Sequence, residues 1–127
     1  MTPEVHRLKA ERITRSLAKC TVRDYEIVIE GAMLAGTHWF KLGLHQLGIT
    51  PVAKDVMHAE FLPKSEHFKV SLCAPEMLAA MEAIEGAREL FVRGSAPDGE
   101  EAARKALECL ACIRERALAA QPIRDPR

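Results

Sequence analysis

The feature that most constrains the fold is a long apolar stretch from Thr21 to Gly48, which reads TVRDYEIVIEGAMLAGTHWFKLGLHQLG. Apolar residues recur in it at the three- and four-residue spacing of an α-helix, and they cover most of the helix circumference. The stretch also holds the only Trp, the only Tyr and two of the five His residues of the chain. A helix that is apolar on nearly all sides is covered by other helices or by a second subunit. The sequence therefore predicts one unbroken central helix around which the other segments pack.

Signals for the start and the end of a helix flank this stretch. Thr21 and Asp24 resemble a capping box in which Asp replaces Glu. Gly48 stands where a left-handed residue ends a helix, and Pro51 prevents the helix from continuing. Three glycines inside the stretch each cost about 1 kcal/mol relative to Ala. They indicate close approach of another backbone or of a ligand, and close helix packing is the simpler explanation; they are Gly31, Gly36 and Gly43.

The first twenty residues predict an amphipathic helix that begins at Thr2 and Pro3, because Pro at the first helical position gives up only an amide that has no partner. Its charged residues cover one face. The predicted buried stripe consists of Val5, Leu8, Ile13, Leu17 and Cys20.

The middle of the chain gives mixed signals. Thr50 and Pro51 predict the start of a short helix that Pro63 ends. From Ser65 to Cys73 the apolar residues alternate as in a strand, but they also fit one helical turn. A lone strand has no partner, so the pattern favours a loop or a short helix.

Two further helices complete the chain. The first begins at Pro75 and ends at Gly94, and the second begins with an expected capping box at Asp98 and Glu101 and continues to Gln121. The sequence thus predicts an all-α, up-and-down bundle of four main helices plus one short helix. Residues 1–121 form the single domain, and residues 122–127 form a flexible tail.

Composition excludes several classes of protein. Lys plus Arg and Asp plus Glu number 18 each, so the net charge does not favour nucleic acid or an anionic membrane as a partner. No segment has the pattern of a signal peptide or a membrane span, and a cytoplasmic protein is expected. Four cysteines are too few for a disulfide scaffold in a chain of 127 residues.

The histidines are the first candidates for a functional site. His38 and His45 lie seven residues apart on the central helix, with Lys41 between them, so they share one face at about 10 Å separation. That distance is too long for one metal ion, and no HExxH motif is present. Each histidine could simply be buried with one hydrogen bond. Alternatively, both face a groove opposite His58, whose ring Asp55 could orient.

Other motifs carry less information. Cys109 and Cys112 form a single CxxC deep within a helix, which core packing explains better than a zinc or redox site. Arg88 and Arg93 could bind phosphate, although a solvated helix face explains them equally well. No Walker loop, GxGxxG or GxSxG motif occurs.

Three segments together resemble a known family. They are EGAMLAGTHWFKLGLHQLGI, the His-containing KDVMHAEFL after a Pro, and AIEGARELFVRG, which has Arg near the end of its helix. This order resembles the HEPN superfamily of small helical bundles, and the resemblance covers Thr21 to Gln121. It implies a dimer, and either a toxin ribonuclease or a partner of a minimal nucleotidyltransferase.

The ribonuclease members of that family carry an Arg that is followed, after four to six residues, by a His. No Arg in this sequence has a His at that distance. The resemblance therefore implies a binding or accessory role.

The sequence supports two hypotheses for the function. The first is a non-catalytic, HEPN-like bundle that dimerises through the central helix and binds a protein partner or a nucleotide. The second is a small enzyme, either a divergent ribonuclease or a metal-dependent hydrolase, that uses His58, Asp55 and an Arg. No catalytic residue, metal or cofactor is assigned. The residues predicted to bind a ligand are His38, Trp39, Lys41, His45, Asp55, His58 and Arg88.

Overall fold

The computed structural model describes residues 1–53, 59 and 62–121. The α-helices are α1 (Pro3–Leu17), α2 (Tyr25–Gln46), α3 (Lys64–Cys73), α4 (Pro75–Ala87) and α5 (Gly99–Ala119). A 3-10 turn, Val22–Asp24, precedes α2, and a π-helical turn, Arg88–Arg93, continues α4. The described residues contain no strand, and the prediction of an all-α bundle is confirmed.

The predicted ends of the central helix agree in part, because the expected capping box at Thr21 precedes the 3-10 turn and α2 itself begins at Tyr25. The carboxylate of Asp24 accepts a hydrogen bond from the backbone N–H of Thr21 at 3.3 Å, as a capping box requires. Gly48 has a φ of +76°, the left-handed conformation that glycine adopts without strain. Between these ends the helix is continuous for 22 residues. The single central helix is therefore confirmed.

The hydrophobic core surrounds α2, which packs against α1, α4 and α5. Most of the large, fully buried side chains come from three helices: Val28, Ile29, Trp39, Leu42 and Leu44 of α2, Met77, Met81 and Ile84 of α4, and Ile113 of α5. Gly43 lies where these helices meet. A Cβ atom at this position would lie 2.8 Å from Met77 Sδ and 3.5 Å from Ala117 Cα. Close packing of helices therefore explains this glycine.

One side of α2 is not covered within the single chain. Ile27 is 63% exposed and Leu34 is 48% exposed. Residues seven apart lie on the same side of a helix, so these two form a strip that faces solvent. The expectation that α2 is apolar nearly all round is met, but its neighbours in one chain cover only part of it.

The predicted stripe of α1 is partly wrong. Val5 is 39% exposed and Leu8 is 55% exposed, whereas His6 is fully buried. The buried face follows His6, Ala10 and Leu17, with spacings of four and seven residues that keep these side chains on one line. Val5 and Leu8 lie to the sides of that line.

The start of α5 also differs from the prediction. Asp98 has a φ of +67° and makes no side-chain capping hydrogen bond, so the expected capping box with Glu101 is absent. Gly99 follows and lies against the ring of Tyr25, where a side chain would clash. The left-handed residue at position 98, a conformation that Asp tolerates better than most residues, brings the chain into this contact.

The ambiguous segment after Pro63 is helical, because α3 covers Lys64–Cys73. The short helix predicted between Thr50 and Pro63 falls mostly outside the described residues, as does the tail at 122–127. Among the described helices, none has the length and apolar character needed to cross a membrane.

We expect Gly43→Val to lower the free energy of unfolding by about 2 kcal/mol, because the new side chain overlaps Met77 and crowds α5. Gly86→Val is the matched control, because a Cβ atom at Gly86 in α4 meets no atom within 4 Å. The control should change stability by less than about 0.5 kcal/mol, since Val and Gly differ little in helix propensity. Urea unfolding followed by far-UV circular dichroism measures both values. Equal effects of the two substitutions would contradict the close packing at Gly43.

Candidate functional site

A cavity of about 450 Å³ lies between α2 and the π-helical turn. This cationic cavity contains three basic side chains and one acidic side chain. Its lining residues are Glu30, Met33, Leu34, Thr37, His38, Lys41, Arg88 and Arg93. Its volume falls within the range of about 300–1,000 Å³ that is usual for small-molecule sites.

Lys41 is the most unusual residue of the cavity. Its exposed fraction is only 8%, although it lies on a helix that is otherwise buried by apolar side chains. Among the described residues, none accepts a hydrogen bond from its ammonium group or forms an ion pair with it. The stem of the side chain is packed away from water, while the ammonium group reaches the cavity, where none of the described carboxylates pairs with it. The cavity therefore presents a cation that lacks an anion.

Arg88 closes one wall of the cavity. Its Nε atom donates a hydrogen bond to Glu30 Oε2 at 2.7 Å, and the Arg88 side chain is 23% exposed. This ion pair joins the π-helical turn to α2. Since only Nε is used in this bond, the Nη atoms remain available as donors.

Arg93 lies on the same side of the chain as Arg88 because of the π-helical turn. Residues five apart on an α-helix point about 140° away from each other. In a π-helix the hydrogen bonds run between residues five apart, which places such residues nearly in line. The bond from the N–H of Gly94 to the carbonyl oxygen of Glu89, at 3.0 Å, has this spacing. The π-helical turn thus directs both guanidinium groups toward the cavity.

Arg93 itself is held loosely. Its Nη1 atom lies 3.4 Å from Glu89 Oε2, and the two side chains are 60% and 62% exposed. Exposed pairs of this kind contribute little to stability. Arg93 is therefore free to turn toward a bound anion at little energetic cost.

A group of histidines adjoins the cavity. His38 Nδ1 and His6 Nδ1 are 3.0 Å apart and share a hydrogen bond, so that one nitrogen donates and the other accepts. The His6 ring centroid lies 5.4 Å from that of His45. The Nδ1 atom of His45 lies 3.1 Å from the carbonyl oxygen of Thr50. His6 therefore joins α1 to the polar side of α2.

The described residues include no group of three His, Cys, Asp or Glu side chains placed to hold a metal ion. The basic side chains of the cationic cavity also disfavour a metal ion, because ammonium and guanidinium groups repel a metal cation and attract an anion. The arrangement is suited to holding a phosphate, sulfate or carboxylate group.

The structure brings together some of the predicted ligand-binding residues and separates others. His38, Lys41 and Arg88 line the cationic cavity. His45 lies beside His6, behind the cavity. Trp39 is fully buried, and Arg114 Cζ lies 5.7 Å from its ring centroid, so it belongs to the core. Asp55 and His58 lie outside the described residues.

Three residues near the cavity did not follow from the motif search: Glu30, Thr37 and His6. A signal for His6 was present, because it lies four residues before Ala10 and eleven before Leu17, on the stripe that α1 buries. A histidine on a buried stripe needs a polar partner, and His38 supplies one.

Comparisons with protein-family models, with curated proteins and with solved structures find no match to this chain. The HEPN resemblance therefore rests on the sequence segments alone and stays a prediction.

The CxxC pair on α5 lies apart from the cationic cavity. Cys109 and Cys112 are both free thiols of intermediate burial, and Cys112 Sγ lies 3.9 Å from the carbonyl oxygen of Glu76. Burial raises the pKa of the Cys109 thiol, with smaller contributions from Cys112 and Glu108. A raised pKa favours the unreactive thiol form.

Because the raised pKa leaves less thiolate, we expect iodoacetamide at pH 7 to alkylate Cys109 at least about threefold more slowly in the folded protein than in urea. Peptide mass spectrometry after timed quenching measures the rates. The rate in the folded protein should rise as the pH increases above 9. Fast alkylation of folded Cys109 at pH 7 would show a reactive thiol and contradict the packing role.

Proposed function

We propose that this chain is a non-catalytic, cytoplasmic binding protein that acts as a homodimer and holds a small anionic ligand, such as a nucleotide, in the cationic cavity. The single observation that supports this most strongly is Lys41, which is 8% exposed and lines the cavity with an ammonium group that has no counter-charge among the described residues. An anion that enters the cavity supplies that charge.

The arrangement of the other side chains favours a phosphate group. Arg88 and Arg93 carry planar guanidinium groups, which bind two oxygens of a phosphate at once. Lys41 adds a compact charge deeper in the cavity. Met33 and Leu34 form an apolar wall against which the rest of an organic ligand can pack. Phosphate with an attached organic group describes a nucleotide, which is the expected class of ligand.

Binding is favoured over catalysis because the acidic side chain of the cavity is already engaged in an ion pair. Among the described residues that line the cavity, Glu30 is the only carboxylate, and it is held by Arg88 at 2.7 Å. This ion pair holds the carboxylate in a structural contact with the π-helical turn. The alternative, a small enzyme that uses His58 and Asp55, involves residues outside the described part of the chain. An accessory role beside a nucleotidyltransferase or toxin partner also fits the HEPN-like segments, which lack the Arg and His ribonuclease motif.

The uncovered side of α2 supports the homodimer. A groove of about 570 Å³ runs between α1 and the π-helical turn, over α2. Its apolar lining consists mainly of Ile13, Leu17, Cys20, Ile27, Leu34 and Val92.

A second copy of the chain is the occupant that this surface fits best. Ile27 and Leu34 protrude beside the groove, so the same face carries both ridges and a depression. A two-fold dimer requires such a self-complementary face. Glu26 and Arg88 also line the groove. An interface between two copies would therefore contain charges of both signs.

We expect ATP to bind the wild-type protein and Lys41→Met to weaken that binding at least tenfold, equivalent to about 1.4 kcal/mol. Without ligand, the stability of Lys41→Met should stay within about 0.5 kcal/mol of wild type, because Met keeps the apolar stem and the lost ammonium group has no partner. Isothermal titration calorimetry and thermal unfolding measure the two effects. Lys69→Met, on the exposed side of α3, is the matched control and should change neither. Unaltered ATP binding by Lys41→Met, or no binding of ATP and inorganic phosphate by wild type, would overturn the proposal.

We expect Ile27→Glu to raise the dimer dissociation constant by at least tenfold, because a carboxylate is then buried in an apolar interface. Leu118→Glu is the matched control, since Leu118 is 44% exposed on α5, away from the groove. Sedimentation equilibrium at micromolar concentrations gives both constants. A wild-type protein that is monomeric throughout that range would contradict the dimer.

A further inference from the structure

Two charged residues of the cationic cavity lie on one stripe of α2. Glu30 and Lys41 both line the cavity and are eleven residues apart in the sequence. Eleven residues make close to three helical turns, so the two side chains leave the helix within about 20° of each other and about 16 Å apart along its axis. The cavity is therefore elongated, with a charged residue near each end.

Arg88 is fixed at the Glu30 end. Its Nε atom donates a hydrogen bond to Glu30 Oε2 at 2.7 Å, and the two side chains are 23% and 35% exposed. The Nη atoms of a guanidinium group remain donors when only Nε is engaged. This end of the cavity therefore offers N–H groups to an anion, while the charge of the carboxylate is balanced within the ion pair.

Lys41 is fixed at the other end. Its exposed fraction is 8%, and its packed stem prevents the ammonium group from moving along the cavity to Arg88. Side chains on a helix lean toward its N-terminus, so those of Glu30 and Lys41 are displaced in the same direction. The ammonium group of Lys41 and the guanidinium group of Arg88 thus stay on the order of 10 Å apart.

The surface between the two ends carries no carboxylate among the described residues. Met33 and Leu34 are apolar, and the Thr37 hydroxyl group donates a hydrogen bond to the carbonyl oxygen of Met33 at 2.7 Å. Arg93 lines the same cavity and its ion pair is exposed, so it can turn toward a ligand at little energetic cost. A negatively charged chain that lies along α2 would meet cations at both ends and no unpaired carboxylate between them.

A single phosphate group does not fit this spacing. The charge-assisted hydrogen bond between a cationic nitrogen and a phosphate oxygen is about 2.8 Å long, so one phosphoryl group contacts either Lys41 or Arg88 but not both. A linear oligophosphate has a phosphoryl group at each end and carries negative charge along its whole length. It is therefore a simple anion that can pair with both cations.

We propose that the cationic cavity binds a linear triphosphate chain that lies along α2, with one end at Lys41 and the other at Arg88. This inference rests on the proposed function, because it requires an anion in this cavity. It narrows the ligand from nucleotides in general to those that carry an oligophosphate chain, such as nucleoside triphosphates.

The test compares inorganic probes that separate chain length from charge: orthophosphate, linear tripolyphosphate and cyclic trimetaphosphate. The cyclic compound holds the same number of phosphorus atoms as tripolyphosphate in a compact ring. Isothermal titration calorimetry at pH 8, at constant ionic strength and without divalent cations, gives the dissociation constants. We expect wild type to bind tripolyphosphate at least about tenfold more tightly than either of the other two, because only the linear chain reaches both ends of the cavity. ATP should bind more tightly than AMP by a similar factor.

Variants locate the two ends of the chain. Glu30→Gln combined with Arg88→Gln removes the Arg88 contact and leaves the net charge of the cavity unchanged, because one cation and one anion are lost together. In this double variant, and also in Lys41→Met, the preference for tripolyphosphate over trimetaphosphate should fall below about threefold. Lys69→Met, on the exposed side of α3, is the matched control and should keep the full preference. If the double variant does not fold, the preferences of wild type and Lys41→Met decide the question.

The outcomes separate this inference from the proposed function. Equal binding of orthophosphate and tripolyphosphate, or of the linear and cyclic triphosphates, overturns the chain and leaves an anion site in place. A linear preference that persists in the double variant also overturns it, because Arg88 then does not hold one end. ATP binding without tripolyphosphate binding overturns it as well, since the base and ribose then provide the recognition. If neither ATP nor any inorganic probe binds, the proposed function falls too.

Discussion

Burial of one apolar helix on three sides is the constraint on which the rest of this structure depends. Helix α2 supplies much of the core, and its glycine at position 43 lets α4 and α5 approach closely. Because α1, α4 and α5 all pack against it, any change in its direction would move every other helix. The same burial makes the polar residues on α2 notable, since each one must either find a partner or lie at an opening in the core.

Neighbouring residues on α2 serve different purposes because of helical geometry. Trp39 points into the core and is fully buried, whereas His38, one residue earlier and about 100° around the helix, lines the cationic cavity. Lys41 follows His38 by three residues and returns to the same side. A well-packed helix thus carries both the core and one wall of the cavity, and it fixes the backbone positions of His38 and Lys41.

Much of the bundle could be predicted from local signals. The capping residues Thr21 and Asp24, the left-handed Gly48 and the prolines at positions 3 and 75 mark helix ends by simple steric and hydrogen-bonding rules. The role of His6 could not be assigned from motifs, because its partner lies thirty-two residues away in sequence. The left-handed Asp98 depends on a contact between Gly99 and Tyr25, which is a tertiary effect. The apolar pattern of α3 fitted both a strand and a helix. Only packing against the rest of the chain decides between these two structures.

The π-helical turn implies that the charge of the cavity depends on how the helix is wound as well as on residue type. If these six residues took ordinary α-helical winding instead, Arg88 and Arg93 would point about 140° apart. Both arginines would survive in the sequence of such a protein, yet one of them would face away from Lys41. A related chain should therefore be judged by whether the spacing of its two arginines matches its helical winding, five apart in a π-helical turn or four apart in an α-helix, since counting arginines alone does not show which way they face.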